Sequence, residues 1–257
     1  MGKIHDIVRK SYTVVATEGC GCSASGCCAP APRDNQTVSQ DLGYSVAQLA
    51  SLPGGANLGL GCGNPQAIAS LKPGETVVDL GSGAGIDCFL AAEQVGATGY
   101  VIGVDMTAAM LERARANAVE GGYDNVEFRL GEIEHLPVAD GTVDVIVSNC
   151  VVNLSPDKAA VYRDAFRVLR SGGRIALSDV IARAPIPEAM RADEELLSGC
   201  ISGAETAEVV LELLTAAGFV DIRVEPKDGS AAFIKDWIPG EDLSAWVVSA
   251  DIQAVKP

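Results

Sequence analysis

From residue 75 onward, short apolar runs recur in ETVVDLG, YVIGVDM, NVEFRLG, VDVIVSN and GRIALSDV. They are near-continuous rather than alternating, which marks strands buried on both faces. Helical spacing of apolar residues separates most of them, over Ile86–Val95, Ala108–Gly121 and Pro156–Arg170. The last of these opens on Ser155-Pro156, an N-cap followed by proline at the first helical position, and stops at Gly172-Gly173. Strands alternating with helices predict a parallel sheet covered on both sides, a doubly wound α/β domain. The rhythm differs at either end. Residues 1–70 are rich in Gly, Pro and Ser, with a helix expected at Lys3–Tyr12, a proline-rich stretch at Ala29–Pro32, a short helix near Ser45–Ser51 and a glycine loop, LPGGANLGLGCGNP. Beyond the core, an amphipathic helix over Thr206–Ala217 ends at Gly218, and DIRVEP and SAWVVSADIQAV read as two further strands. The chain therefore divides into an N-terminal zone 1–70, a core 71–185 and a C-terminal part 186–257 that completes the sheet.

Composition narrows the function classes. At 257 residues, 48% apolar and 21% charged, the chain is globular and long enough for a full core. It has no apolar run of about 18 residues and no apolar segment behind its charged N-terminus, so neither a membrane span nor a secretory signal is expected. A net charge of −15 opposes nucleic acid and favours a small cationic ligand. Eight cysteines without a signal peptide imply a reducing compartment, here the cytoplasm, where clustered thiols bind soft ions or do redox work.

The first core strand runs into VVDLGSGAGIDCFLAA, where Asp79 precedes Gly81, Gly83 and Gly85. Glycines there allow a tight strand-to-helix turn and close approach of a ligand to the backbone. The second strand ends at Asp105, a carboxylate placed to accept ribose hydroxyls. The G-x-G-x-G spacing and Asp79 disfavour an NAD-binding reading, and the segment resembles the class I S-adenosylmethionine-dependent methyltransferases. That resemblance implies a Rossmann-like sheet in which Asp79, Gly81, Ser82, Gly83 and Gly85 hold the methionine end of S-adenosylmethionine. Asp105 would hold the ribose, and Met106, Ile133 and Glu134 would lie against the adenine.

The fourth strand places Asn149 and Cys150 at its tip, where ligands sit in doubly wound folds. Cys62, in GLGCGNP, and Cys200, in ELLSGCISGA, are flanked by glycines in loops expected to reach the same edge. Cys88 lies inside a CFLAA helix and reads as core. Three converging thiolates select a thiophilic centre, and neither His5 nor His135 has the spacing to complete a zinc site. A trivalent, pyramidal centre with a lone pair, arsenic(III), suits three sulfurs.

GANLGLGCGNP, DLGSGAGIDCFLAA, SNCVVNLSPDKAAVYRDAFRVLRSGGRIALSDV, SGCISGA and FIKDWIPGEDL with VVSADIQAVKP together resemble the arsenite methyltransferases over nearly the whole chain. The resemblance implies that Cys62, Cys150 and Cys200 ligate arsenite or its thiol conjugates, with glutathione or thioredoxin as reductant and S-adenosylmethionine as methyl donor, in arsenic detoxification. Leu60 and Glu205-Thr206 stand where some relatives carry aromatics, and a long C-terminal extension is not expected. The remaining four cysteines fill EGCGCSASGCC in a cysteine-rich N-terminal arm. The C-x-C and C-C spacing is not that of an ordinary structural zinc site. By the same resemblance, Cys27 or Cys28 would be a redox partner of Cys62. Two alternatives stay open: methyl transfer to a small organic acceptor, and soft-metal binding without catalysis.

Overall fold

The computed structural model describes residues 2–18, 34–235, 237 and 242–257, without the Glu195 side chain. Cys20, Cys22, Cys27 and Cys28 lie outside the described residues, and so do the expectations that rest on them. Seven strands form one sheet: β1 (Thr76–Leu80), β2 (Tyr100–Asp105), β3 (Val126–Leu130), β4 (Val143–Asn149), β5 (Leu169–Ala182), β6 (Val220–Pro226) and β7 (Val247–Val255), in the order β3-β2-β1-β4-β5-β7-β6. β1 to β5 pair in parallel, while β7 runs antiparallel to both β5 and β6. The Val/Ile runs marked these strands correctly, but the apolar pattern alone carried no signal for the reversed direction of β7.

The helices are α1 (Lys3–Glu18), α2 (Asn35–Asp41), α3 (Val46–Ser51), α4 (Gln66–Ala69), α5 (Ile86–Val95), α6 (Ala108–Gly121), α7 (Lys158–Val168), α8 (Glu188–Arg191), α9 (Glu194–Ser198), α10 (Ala207–Ala217) and α11 (Ala231–Ile234). Successive strand side chains point to opposite faces, so Val78 joins the core under α7 and α10 while Val77 joins the core under α5. Both faces are thereby covered. α1 is longer than the expected Lys3–Tyr12, because Val15 and Ala16 keep packing contacts and Thr13 and Thr17 bond back to Arg9 and Thr13 carbonyls. α7 starts later than Ser155-Pro156 suggested: Asp157 caps it by accepting from Ala160 N at 2.8 Å. The Ser155 hydroxyl donates to Glu134 and accepts from Asp157 N at 3.1 Å, ahead of the helix. α7 also ends at Val168, and β5 begins directly at Leu169, ahead of Gly172.

The order of strands reverses between β1 and β4, whose carboxyl ends leave a crevice, the usual ligand position in such sheets. α1 lies over that end and packs against α6 and α9. Arg9 Nε donates to Met106 O at 3.3 Å, and Arg113 donates to Ala16 O at 3.2 Å, which ties the strap down.

Candidate active site

At the crevice the structure forms a cavity of about 370 Å³. Gly81 to Ala84, Asp105, Met106, Glu134 and Cys150 are among its walls. The turn after β1 is shaped by backbone bonds from Gly81 N and Ser82 N to Val104 O. Gly81 adopts φ +67°, and a side chain there would collide with Val151. Gly83 has open space around it, and its amide donates to Asp105 Oδ2 at 3.0 Å; Thr107 N donates to Oδ1 at 2.7 Å. The Ser82 hydroxyl is buried with no partner among the described residues. A buried hydroxyl in that state suits a ligand that brings a polar atom to it. Gly85 is not on the cavity wall; a side chain at that position would meet Phe89 and Phe128, so its glycine serves helix-to-sheet packing.

Three carboxyls surround this turn, Asp79 and Asp87 buried and Asp105 half-buried, and their donors are neutral. Asp79 accepts from Cys88 Sγ at 3.3 Å, which gives that buried core cysteine a polar partner. Asp87 accepts from Tyr44 Oη at 2.9 and 3.0 Å, and Asp105 accepts from the two amides. Burial pushes all three carboxyls up, Asp79 well above the ordinary range with the Asp87 charge adding to it. Such a set costs least when a cationic ligand joins it. Asp87 rises from 3.8 to about 6 through burial, opposed by the Tyr44 and Gln66 donors. An acid whose folded value is raised holds its proton more firmly in the folded state, so ligand-free stability falls as pH rises through about 4 to 6. Relative to Asp87→Asn, the wild type is expected to lose up to about 3 kcal/mol between pH 4 and pH 7. Urea unfolding at several pH values reads this difference; a flat difference across that window would contradict it.

The other end of the cavity holds sulfur. Cys62 comes from the glycine loop, Cys150 from the tip of β4 and Cys200 from the segment after α9. Cys150 stands between the other two: its sulfur lies within 4.8 Å of the Cys62 sulfur, and its carbonyl accepts from Cys200 Sγ at 2.8 Å, while Cys62 Sγ donates to Ser178 O at 3.5 Å. Cys150 and Cys200 line the cavity, whereas Cys62 sits behind, only 1% exposed. Cys150 and Cys200 also hold φ of +60° and +64°, a left-handed conformation uncommon outside glycine. Non-glycine strain of this kind gathers at functional sites. Glycines beside Cys62 answer close approach: a side chain at Gly61 would strike Asn149, and one at Gly63 would strike Ser178.

All three thiols are shifted upward. For Cys62 the main cause is burial. For Cys150 the bond with Cys200 pulls down, but the Cys62 bond and burial outweigh it. For Cys200 the Cys150 bond and then burial act together, and the nearby Asp179 charge adds to the rise of each thiol. The thiols are therefore neutral at pH 7.

Two neighbours, Asp179 and Tyr12, were not singled out by the sequence. Asp179, on β5, is buried and pushed up to about 6 by burial. Tyr12, on α1, lines the cavity, packs against the cluster of Ala16, Leu58, Ala84 and Met110, and donates to Ser198 O at 3.3 Å. His5 Nε2 lies 3.0 Å from Glu134 Oε1, which Ser155 also contacts, so Glu134 on the cavity wall is braced by α1. Asn149 lines the cavity, but its amide is committed elsewhere: Oδ1 accepts from Cys62 N, and Nδ2 donates to Gly63 O and Tyr44 Oη. Glu205 pairs with Arg191 at 3.2 Å.

Comparison with known proteins places this geometry. Residues 71–218 match a family model described as a methyltransferase domain. An X-ray structure of an arsenic(III) S-adenosylmethionine methyltransferase from Chlamydomonas reinhardtii superposes with a TM-score of 0.65 at 32% identity, over 88% of this chain and 75% of that one. The chain belongs to the arsenite methyltransferase family. The arsenite methyltransferase of Halobacterium salinarum is 50% identical over 98% of this chain, and that of Aquipseudomonas alcaligenes 39% identical over 86%. The chain spans 66% and 63% of the length of these two members of the arsenite methyltransferase family. Among the described residues, no helix is long and apolar enough to cross a membrane.

Proposed function

We propose that the chain transfers the methyl group of S-adenosylmethionine to trivalent arsenic held by Cys62, Cys150 and Cys200. The observation that carries this reading is the meeting, in one cavity, of the Cys150 and Cys200 thiols, with Cys62 directly behind them, and a turn suited to a cationic cofactor. The Ser82 hydroxyl, the open space beside the Gly83 Cα and the carboxyls of Asp79, Asp87 and Asp105 fit that cofactor. When bound, it supplies an electrophilic methyl on a sulfonium. Asp105 would hold the ribose, and Met106, Ile133 and Glu134 would flank the base.

Neutral thiols suit the capture of arsenite. Each As–OH is exchanged for an As–S bond, the thiol proton leaves with the hydroxyl as water, and three exchanges release three waters with no net proton change. The sulfur-bound arsenic keeps its lone pair as the nucleophile, so the protein needs no general base. Its contribution is position: holding both partners in one site is worth about 7–11 kcal/mol of barrier in favourable cases. α1 covers the site from solvent through Val8 and Tyr12, both of which line the cavity.

Methylation converts the lone pair into an As–C bond and oxidises arsenic by two electrons. Return to the trivalent state takes those electrons from thiols, which supports glutathione or thioredoxin as co-substrate, a redox role for Cys27 or Cys28, and work in the reducing cytoplasm. The test is incubation with arsenite, labelled S-adenosylmethionine and glutathione. Labelled methylarsenicals are expected, and their absence would overturn the proposal.

Asp105→Asn should separate the two halves of the site. Losing a charge-assisted bond of about 1.5–3 kcal/mol lowers S-adenosylmethionine affinity by about 10–100-fold. Arsenite affinity should change much less, since Asp105 is not among the thiol contacts. Calorimetric titration of each ligand measures both; equal losses would show that the carboxylate does not act on the cofactor specifically.

A further inference from the structure

Methyl transfer leaves one group beside the thiols without a task. The sulfurs of Cys62 and Cys150 and a carboxylate oxygen of Asp179 lie within 4.8 Å of one another. Ligand atoms around a tetrahedral zinc, with bonds of about 2.0–2.3 Å, stand about 3.3–3.8 Å apart. A small contraction would therefore close this set on a single ion. Asp179 is held in place as second-shell donors hold a metal ligand. Its Oδ1 accepts from Val180 N at 2.7 Å and Asn153 Nδ2 at 3.0 Å, and its Oδ2 accepts from Val152 N at 2.9 Å. Oδ1 is filled by its two donors, and the Val151 amide also acts on the carboxylate, so a metal bond would take the place of one of the backbone bonds rather than an idle lone pair.

The donor set discriminates between kinds of ion. Pyramidal arsenic(III) takes three sulfurs, and its lone pair occupies the fourth direction, so a carboxylate adds nothing to it. A d¹⁰ dication takes four ligands and accepts sulfur together with carboxylate oxygen. Cys200 touches Cys150 and stands outside the 4.8 Å set, where it is available as a fourth ligand. The cavity wall at Cys150 gives an ion its way in.

We propose that Cys62, Cys150 and Asp179, completed by Cys200, form a site for a thiophilic divalent cation, Zn²⁺ or Cd²⁺. Binding forms three metal–sulfur bonds and one metal–oxygen bond, and the three thiol protons pass to solvent. An ion held there occupies the same sulfurs as arsenite and excludes it.

The test uses the full chain with Cys20, Cys22, Cys27 and Cys28 changed to serine, titrated with Cd²⁺ alone. The readout is the ultraviolet thiolate-to-cadmium charge-transfer band. One ion per chain is expected, and Asp179→Asn should weaken it at least about 10-fold, the scale on which a lost metal contact acts. No stoichiometric band, or an unchanged affinity in Asp179→Asn, would overturn the proposal. Should Asp179→Asn fail to fold, X-ray absorption on the Cd²⁺ complex of the chain with Asp179 intact decides the matter. Sulfur with one oxygen in the inner shell supports the site, and sulfur alone removes the carboxylate from it. Neither arsenite nor cofactor enters this measurement, so its failure is distinct from failure of the methyl-transfer reading.

Discussion

Cys150→Ser is expected to slow methyl transfer to arsenite by about 10³-fold or more, equivalent to about 4 kcal/mol in the barrier. Cys150 stands between the other two thiols, so its loss separates Cys62 from Cys200 as well as removing a ligand. A serine oxygen is a hard donor and returns that arsenic position to the exchangeable state of a hydroxyl. The substitution keeps size and adds no bulk, and a residue at +60° φ is already accommodated there, so folding should survive. The readout is single-turnover formation of labelled methylarsenical, with thermal unfolding as the control on folding. A variant that folds and retains more than a tenth of the wild-type rate would remove Cys150 from the arsenic site. Full activity toward an organic acceptor, with none toward arsenite in either protein, would favour the small-molecule alternative.

Much of the scaffold behind this prediction was legible because its strands are buried on both faces. Runs such as TVVDL and VDVIVSN leave few other readings, and Gly96, Gly122 and Gly218 mark helix ends with left-handed or irregular backbone. What escaped notice was short or polar. Asn35–Asp41 has no continuous apolar stripe and is held by its Asp34 cap, and Gln66–Ala69 is a single turn. Ser155 looked like a cap because sequence cannot show that Glu134, about one strand and a loop away, engages its hydroxyl.

The same division runs through the site. Cysteines flanked by glycine stand out, since glycine beside a reactive side chain signals close backbone approach. Asp179 sits in ALSDV, where it reads as the end of a strand; only the pairing of β4 with β5 brings it to the thiols. Tyr12 and Tyr44 arrive from helices and loops with no local connection to the sheet. Their signal was faint: Tyr44 follows Gly43 in a short loop and is 3% exposed, a burial that periodicity could not forecast. Gly85 shows the opposite error of emphasis, a motif glycine whose space is claimed by Phe89 and Phe128.

Asn149→Ala is expected to reduce the methyl-transfer rate by about 10²-fold, the scale of a roughly 1 Å misplacement of reacting groups. The side chain touches no thiol, yet it fixes the loop that carries one. Its Oδ1 accepts from Cys62 N at 2.9 Å, and its Nδ2 donates to Gly63 O at 2.8 Å, pinning the backbone on both sides of the Cys62 side chain. The same Nδ2 reaches Tyr44 Oη at 2.9 Å, and Tyr44 donates to Asp87 beside the cofactor turn. Alanine leaves the Cys62 amide and the Gly63 carbonyl without this partner, at about 1–3 kcal/mol for each buried group left unsatisfied. Arsenite affinity should fall with the rate, because the Cys62 sulfur is no longer held against Cys150. Tyr44→Phe keeps both loop bonds and cuts only the link to Asp87. It should leave arsenite binding near the wild-type value when no cofactor is present. In the wild type, S-adenosylhomocysteine should alter arsenite affinity through this link, and in Tyr44→Phe that dependence should shrink, as reciprocal coupling between two sites requires. Arsenite titrations with and without S-adenosylhomocysteine, on all three proteins, measure it. If Asn149→Ala binds arsenite as the wild type does, Cys62 is positioned by something other than this amide.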